Sequence, residues 1–446
     1  MPLKLPFLVA ALLITSAACT FKLAKEGPPP VIGVGTGGVG VDGTGGTAGA
    51  MVIERLVDGG STAICKNLQC LQTSCRGTGC MVPPCTGGAT TTISGTVYEP
   101  GGKVPLYNAI VYVPNAPLAM VKEGVSCDLC DTALSGSPLT QATTDSNGRF
   151  RLDNMPAGTD IPLVVQIGRW RRETKIPMVA ACADTPLTDV NLTRLPRNQS
   201  EGHIPKIALT TGGADALECL LRKIGIDDAE FTPEAGTGRI NLFAGGTHLG
   251  MPINGGNNSS AGTNRYDAAL NGGAMFTDSE TWWESSDNLN KYDIILHSCE
   301  GTTPQVTTNK SAAAVAAMKA YADAGGRMFA SHWHNYWLQR GPQPWPMVAR
   351  FGNRTDPMGV FTSTIDVSFP KGQALSEWLV NVGASPMPGQ LAIRGAKLTV
   401  EALLGTSQRW IYNMVPTSVQ YFSFGAPVEM PTAQCGKVVF SDLHVS

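Results

Sequence analysis

From about residue 91 the apolar positions follow two different periods, and the change of period divides the chain. As far as residue 197 they fall in β-branched runs of four to eight residues, cut by Pro-Gly, Asn-Pro and Asn-Gly signals. "ISGTVYE", "NAIVYVP", "GRFRLDN" and "IPLVVQIG" read as strands, and "TDSNGRF" supplies the turn chemistry between two of them. Short strands at such regular spacing predict an antiparallel β-sandwich over 91–197. After "LPRNQSEGHIP" the pattern lengthens. "KIALTTGGADALECLLRKIGI" reads as a buried strand, a Gly-Gly turn and a helix with Ala216, Leu217, Leu220, Leu221 and Ile224 on one side. "RINLFAGG" and "YDIILHSCEG" are further strands, and "SAAAVAAMKAYADAGG" is a helix stopped by Gly-Gly. "GGRMFASHWH" and "GKVVFSDLHVS" complete the series. Strands alternating with helices predict an α/β unit with a mainly parallel sheet over 203–446.

The N-terminal residues follow neither period. Residues 1–19, "MPLKLPFLVAALLITSAAC", carry an early lysine, an apolar run and small residues before Cys19, which predicts a secretory signal too short to span a bilayer. The "SAAC" ending resembles a bacterial lipobox, which implies lipid on Cys19 and a membrane partner; Ser16 stands where that motif usually has leucine. Residues 20–60 are a Gly- and Pro-rich stretch with too little apolar surface to fold, hence a tether. Residues 61–90 hold Cys65, Cys70, Cys75, Cys80 and Cys85 at every fifth position and read as a cysteine-rich neck.

Export makes disulfides the first reading of the cysteines, with Cys127, Cys130 and Cys182 added to the neck five as candidates and no pairing deducible from spacing. Zinc is the rival for the Cys127–Cys130 CxxC, which lacks a second CxxC at ribbon spacing. The last strand ends at "LHVS" without a closing helix, which reads either as a shortened C-terminus, in which Cys435 has lost its partner, or as a fold that ends unusually bare. A net charge of −2 and a charged fraction of 15% leave no basic footprint, so nucleic acid is not an expected partner.

The order "SGTVYEPGGKVPLYNAIVYV" then "TTDSNGRFRLDNMPAG" resembles the carboxypeptidase regulatory-like domain, a transthyretin-like β-sandwich, which implies an accessory module. "YDIILHSCEG", a helix into "AGGRMFASHWH", and "GKVVFSDLH" resemble the class I glutamine amidotransferase-like fold in its ThuA-like branch, implying a flavodoxin-like α/β domain. The whole arrangement also resembles a group of uncharacterised bacterial envelope lipoproteins, which implies an outer-membrane, periplasmic or cell-surface location.

Chemistry is expected where parallel strands end, because ligands bind in the crevice at their carboxyl ends. Those ends carry Gly212, Gly213 and Asp215; Ser298, Cys299 and Glu300; Ser331, His332 and His334; and Asp442 with His444. Four of the six histidines, His297, His332, His334 and His444, fall there. Cys299 is the candidate nucleophile, presented at a strand-to-helix turn, with His332, His334 or His444 as base and Glu300 beside it. The amidotransferase turn runs Gly-x-Cys-x-Gly; "HSCEG" puts His297 in place of the first glycine, and the family's distal His-x-Glu has no counterpart. The bland alternative is a structural thiol, and Asp215 is placed to favour the first turn of the following helix.

Two other readings stand beside it. His332 and His334, two apart on an extended strand, would point to one face and could share a divalent metal completed by Glu300, Asp442 or His444. "HWHNYW" also interleaves histidines with Trp333, Tyr336 and Trp337, a rim suited with Asp442 to a carbohydrate, and "TWWES" adds exposed aromatics. The expected function is a membrane-anchored envelope binding protein whose strand-end rim takes an unknown ligand, an envelope glycan or a protein, with no cofactor required. The alternative is a cysteine- or metal-assisted hydrolase of an amide or glycan.

Overall fold

The computed structural model describes residues 85–127, 134–245, 262–300, 310–352, 354, 356 and 359–444. The lipidation position Cys19, the tether, Cys65, Cys70, Cys75, Cys80 and Cys130 lie outside the described residues.

Seven strands form two facing sheets: β1 (Thr92–Thr96), β2 (Ile110–Val113), β3 (Thr140–Thr143), β4 (Arg149–Leu152), β5 (Gly158–Ile167), β6 (Trp170–Val179) and β7 (Asp184–Leu187). One sheet has the order β4-β1-β7 and the other β3-β2-β5-β6. Ile93, Phe150, Leu152 and Leu187 of the first share a core with Val111, Val113, Leu163, Val165 and Ile176 of the second. The expected sandwich of sheets is there, with one departure from the antiparallel pattern: β7 pairs parallel with β1. It reaches β1 after crossing from β6, and the Cys85–Cys182 disulfide fastens that crossing.

The rest of the chain builds a ten-stranded sheet. Its strands are β8 (Ile207–Thr210), β9 (Ile240–Ala244), β10 (Thr277–Asp278), β11 (Ile294–His297), β12 (Arg327–Ser331), β14 (Val360–Ile365), β15 (Gln390–Arg394), β17 (Gln408–Asn413), β18 (Ser418–Ala426) and β19 (Gly436–Ser441). The short pair β13 (Ala349–Phe351) and β16 (Val400–Leu403) stands apart from it. The order is β10-β9-β8-β11-β12-β19-β18-β17-β14-β15. The run from β10 to β19 is parallel, and the last four strands are antiparallel. The antiparallel extension makes the protein richer in sheet than strict strand–helix alternation implies.

Alternation along each parallel strand fills both faces. Ile207, Leu209, Leu296, Phe329 and Val439 face one core, with Leu217, Leu220 and Leu221 of helix α1 (Leu217–Lys223). Ala208, Ile295, Met328, Ala330, Val438 and Phe440 face the other, with Ala314, Met318 and Tyr321 of helix α2 (Ala312–Asp323). Ser311 caps α2 by accepting from the Ala314 N–H at 3.1 Å, which is why that helix starts where it does.

The two halves are fastened together. The Trp378 Nε1–H donates to the Pro105 carbonyl at 2.8 Å, the Gly101 N–H donates to the Ile224 carbonyl at 2.8 Å, and Arg169 pairs with buried Asp293. A second disulfide joins Cys127 to Cys435 across 308 residues. Cys435 thus has a partner, contrary to expectation; the signal was invisible because chain separation says nothing about distance across a sheet. No helix among the described residues is long and apolar enough to cross a membrane.

Candidate functional site

The sheet reverses its direction of growth between β8 and β11: β9 and β10 follow β8 outward on one side, β12 and β19 follow β11 on the other. The parallel register places Thr210 beside His297, His297 beside Ala330, and Ser331 beside Ser441. The residues just beyond these positions therefore meet at one end of the sheet, at the switch point where open α/β sheets bind ligands.

Asp215, Cys299, His332 and His444 converge there, each offering one donor atom, and these atoms lie within 4.8 Å of one another. Cys299 Sγ is 3.1 Å from His332 Nδ1. His332 Nε2 is 2.8 Å from the Asp442 main-chain carbonyl, which can only accept. The imidazole proton therefore sits on Nε2, and Nδ1 presents its lone pair to the thiol. His444 Nδ1 stands 3.0 Å from Asp215 Oδ1, and the Ser331 hydroxyl donates to Asp215 Oδ2 at 2.7 Å. The rings of His332 and His444 meet edge to face at 3.8 Å.

Backbone geometry supports this convergence. A Cβ on Gly212 would stand 2.2 Å from the Cys299 carbonyl oxygen, so only glycine lets the β8 loop approach the β11 loop so closely. His332 has φ +44°, the left-handed region that a β-branched or bulky side chain rarely enters. His332 leaves β12 directly into a 3-10 turn, His332–His334.

Electrostatics set the charge states. Burial and the neighbouring His444 push the His332 pKa down to about 3, so its ring is neutral at physiological pH. Burial pushes Asp215 up, but the bonds from His444 and the Ser331 hydroxyl work against it, and the carboxyl lies below its usual range.

Several expected members stand elsewhere. His334 does not join His332, because the two occupy a 3-10 turn rather than an extended strand, and residues two apart on a helical turn diverge. Both its nitrogens are engaged: Nε2 with the Ser298 carbonyl at 2.9 Å, and Nδ1 accepting from Trp337 Nε1–H at 3.1 Å. Its ring stacks on His297 at 4.7 Å. Glu300 turns away from Cys299 to pair with Lys310 at 3.0 and 3.1 Å, and Lys310 lies over Trp283 and Trp337. The Asp442 carboxylate accepts from the Thr399 N–H and hydroxyl, so that only its main-chain oxygen reaches the cluster; burial raises its pKa to about 7.

The aromatic rim is thinner than expected. Trp337 is fully buried, as are Trp282 and Trp283 of "TWWES", because they pack on α2 and on Phe243 rather than face water. Trp333 and Tyr336 remain half-buried, with Lys397 above the Trp333 ring. Asp215 was legible as a strand-end residue, read as favouring the first turn of the following helix; helix α1 begins at Leu217, and the Asp215 carboxylate reaches His444 and Ser331 in the cluster. Lys310 and Thr399 carry no local signal in the sequence.

No family model and no curated protein matches this chain. A crystal structure of an interface mutant of a type II cohesin–X-dockerin complex from Acetivibrio cellulolyticus is similar at 17% identity and TM-score 0.17, covering 31% of this chain and 85% of that one. A likeness at that score carries no argument about this chain's site.

Proposed function

We infer that the protein is an exported, envelope-associated binding protein whose ligand centre is the strand-end cluster of Asp215, Cys299, His332 and His444. The observation that carries this reading is their convergence within 4.8 Å at the switch point of the sheet. Two disulfides among the described residues indicate an oxidising, extracytoplasmic environment. In this reading a lipid on Cys19 anchors the chain, and the β-sandwich is an accessory module. The α/β half has an amidotransferase-like, flavodoxin-like arrangement turned to binding. An envelope glycan would meet the half-buried Trp333 and Tyr336 beside the cluster.

Binding is favoured over hydrolysis on two grounds. Cys299 has no exposed surface, whereas a nucleophile must meet its substrate. His332, with a pKa near 3, is too weak a base to take a thiol proton at neutral pH. One observation favours the alternative of a hydrolase of amide or glycan bonds: the 3.1 Å Cys299–His332 contact with its fixed tautomer.

Iodoacetamide labelling of the folded, natively exported protein, read peptide by peptide, separates the two. The binding reading expects exposed Cys219 to label and Cys299 to stay unmodified near neutral pH. Rapid modification of Cys299 that collapses in a His332→Ala variant would make the hydrolase reading the better one.

A further inference from the structure

Resting on the reading of the strand-end cluster as a binding centre, we propose that its ligand is a zinc-class dication, held by a carboxylate oxygen of Asp215, Sγ of Cys299, Nδ1 of His332 and a ring nitrogen of His444. Zinc takes thiolate, imidazole and carboxylate donors in a tetrahedron, with bonds of about 2.0–2.3 Å that set the donors roughly 3.3–3.8 Å apart. Two of the donor pairs stand at 3.1 and 3.0 Å, and all four atoms lie within 4.8 Å of one another. Small side-chain shifts convert this mutually hydrogen-bonded set into a coordination shell.

Charge and donor chemistry agree with the geometry. The thiol gives up its proton to solvent as the sulfur–metal bond forms, so thiolate and Asp215 carboxylate together neutralise a dication in a buried place. Sulfur and two imidazoles select a first-row transition ion and disfavour magnesium and calcium, which need all-oxygen shells.

The surrounding bonds are those that orient metal ligands. A ligating imidazole ordinarily donates its other N–H to a carbonyl or carboxylate, and His332 Nε2–H donates to the Asp442 carbonyl. A ligating carboxylate is ordinarily hydrogen-bonded, and Ser331 donates to Asp215 Oδ2. Four protein donors close the shell and leave no position for a reacting water, so the centre retains its ion rather than hydrolysing a substrate. His444, whose side chain is 26% exposed, gives the ion its route in. The ion would also bind together the loops that follow β8, β11, β12 and β19.

The test uses the natively exported full chain, stripped with a chelator and reloaded with zinc or, as a spectroscopic probe, cobalt. Wild type is expected to take one equivalent of zinc and, with cobalt, to show a near-ultraviolet thiolate charge-transfer band. Cys299→Ala is expected to lose the band, and Asp215→Asn the retained equivalent. Ser331→Ala, which keeps all four ligands, is expected to weaken binding about 10–100-fold, so the proposal is tested even if a ligand variant does not fold. Metal retained unchanged in all three variants would place it on other residues, such as the neck cysteines, and overturn the proposal. Wild type that binds zinc no more tightly than ~1 μM would overturn it as well. In that event Cys299 still protected from alkylation by another small molecule would leave the binding reading standing, whereas rapid alkylation would remove both.

Discussion

His332 and Cys299 stand 33 residues apart in the chain and 3.1 Å apart in the fold. The contact exists because β11 and β12 are parallel neighbours with His297 beside Ala330, so that two residues further along each chain Cys299 and His332 arrive at the same level. The second pair, Asp215 and His444, is brought together across 229 residues by the flanking strands β8 and β19. The centre is thus a product of sheet order, and changes that disturb the strand ends should disturb it together with stability.

Gly212 is the most sensitive backbone position. Gly212→Ala puts a methyl group 2.2 Å from the Cys299 carbonyl oxygen, and that oxygen is fixed by the Ala214 N–H at 3.1 Å. Overpacking of this kind costs roughly 1–3 kcal/mol. Denaturant unfolding is expected to show that loss, together with faster alkylation of Cys299 in the folded protein.

Glu300 and Lys310 form an ion pair whose side chains are 3% and 1% exposed. Lys310→Met leaves a carboxylate buried with its cation gone and is expected to cost about 3–5 kcal/mol. Adding Glu300→Gln removes the orphaned charge, so the double variant should recover a large part of that loss. A double variant no more stable than the single one would show that Lys310 acts mainly through its packing on Trp283 and Trp337.

How much of this was legible beforehand differs from element to element. The strands around the switch point were readable because fully buried parallel strands appear as apolar runs, as in "YDIILHS" and "GKVVFS". The cluster's members could be named as strand-end residues. Their grouping could not, since it depends on the 3-10 turn that sends His332 toward Cys299 and His334 toward Ser298. Trp283 and Trp337 looked like surface aromatics because their sequence neighbours are polar, yet each packs against Lys310 and a histidine inside the protein. The Cys127–Cys435 bridge follows from tertiary placement, which spacing does not encode.

That bridge gives a further expectation. Cys435→Ser should destabilise the chain by about 2–5 kcal/mol, the usual effect of losing a native disulfide. Cys219→Ser, at an exposed thiol outside both bridges, should change stability by no more than ~0.5 kcal/mol. Thermal melts of the two variants beside wild type check the contrast.

Stability should also depend on acid through Glu201. Its carboxylate accepts from both terminal nitrogens of Arg194 at 2.6 Å and from the Arg197 N–H at 2.9 Å, and these bonds outweigh burial to bring its pKa down to about 2. The unfolded chain protonates this group near pH ~4.3, so it binds more protons than the folded chain between the two values. The stabilisation is complete above that pH and is lost as pH falls toward about 2. Unfolding of Glu201→Gln between pH 2 and 5 should therefore fall less steeply with acid than that of wild type.

The most direct measurement of the central claim is zinc-edge X-ray absorption on the natively exported, zinc-reloaded chain. A centre built from Asp215, Cys299, His332 and His444 predicts one sulfur at about 2.3 Å and three nitrogen or oxygen neighbours at about 2.0–2.2 Å. A shell of three or four sulfurs would assign the metal to other cysteines, and an all-oxygen shell would assign it to surface carboxylates. Either result would contradict the account.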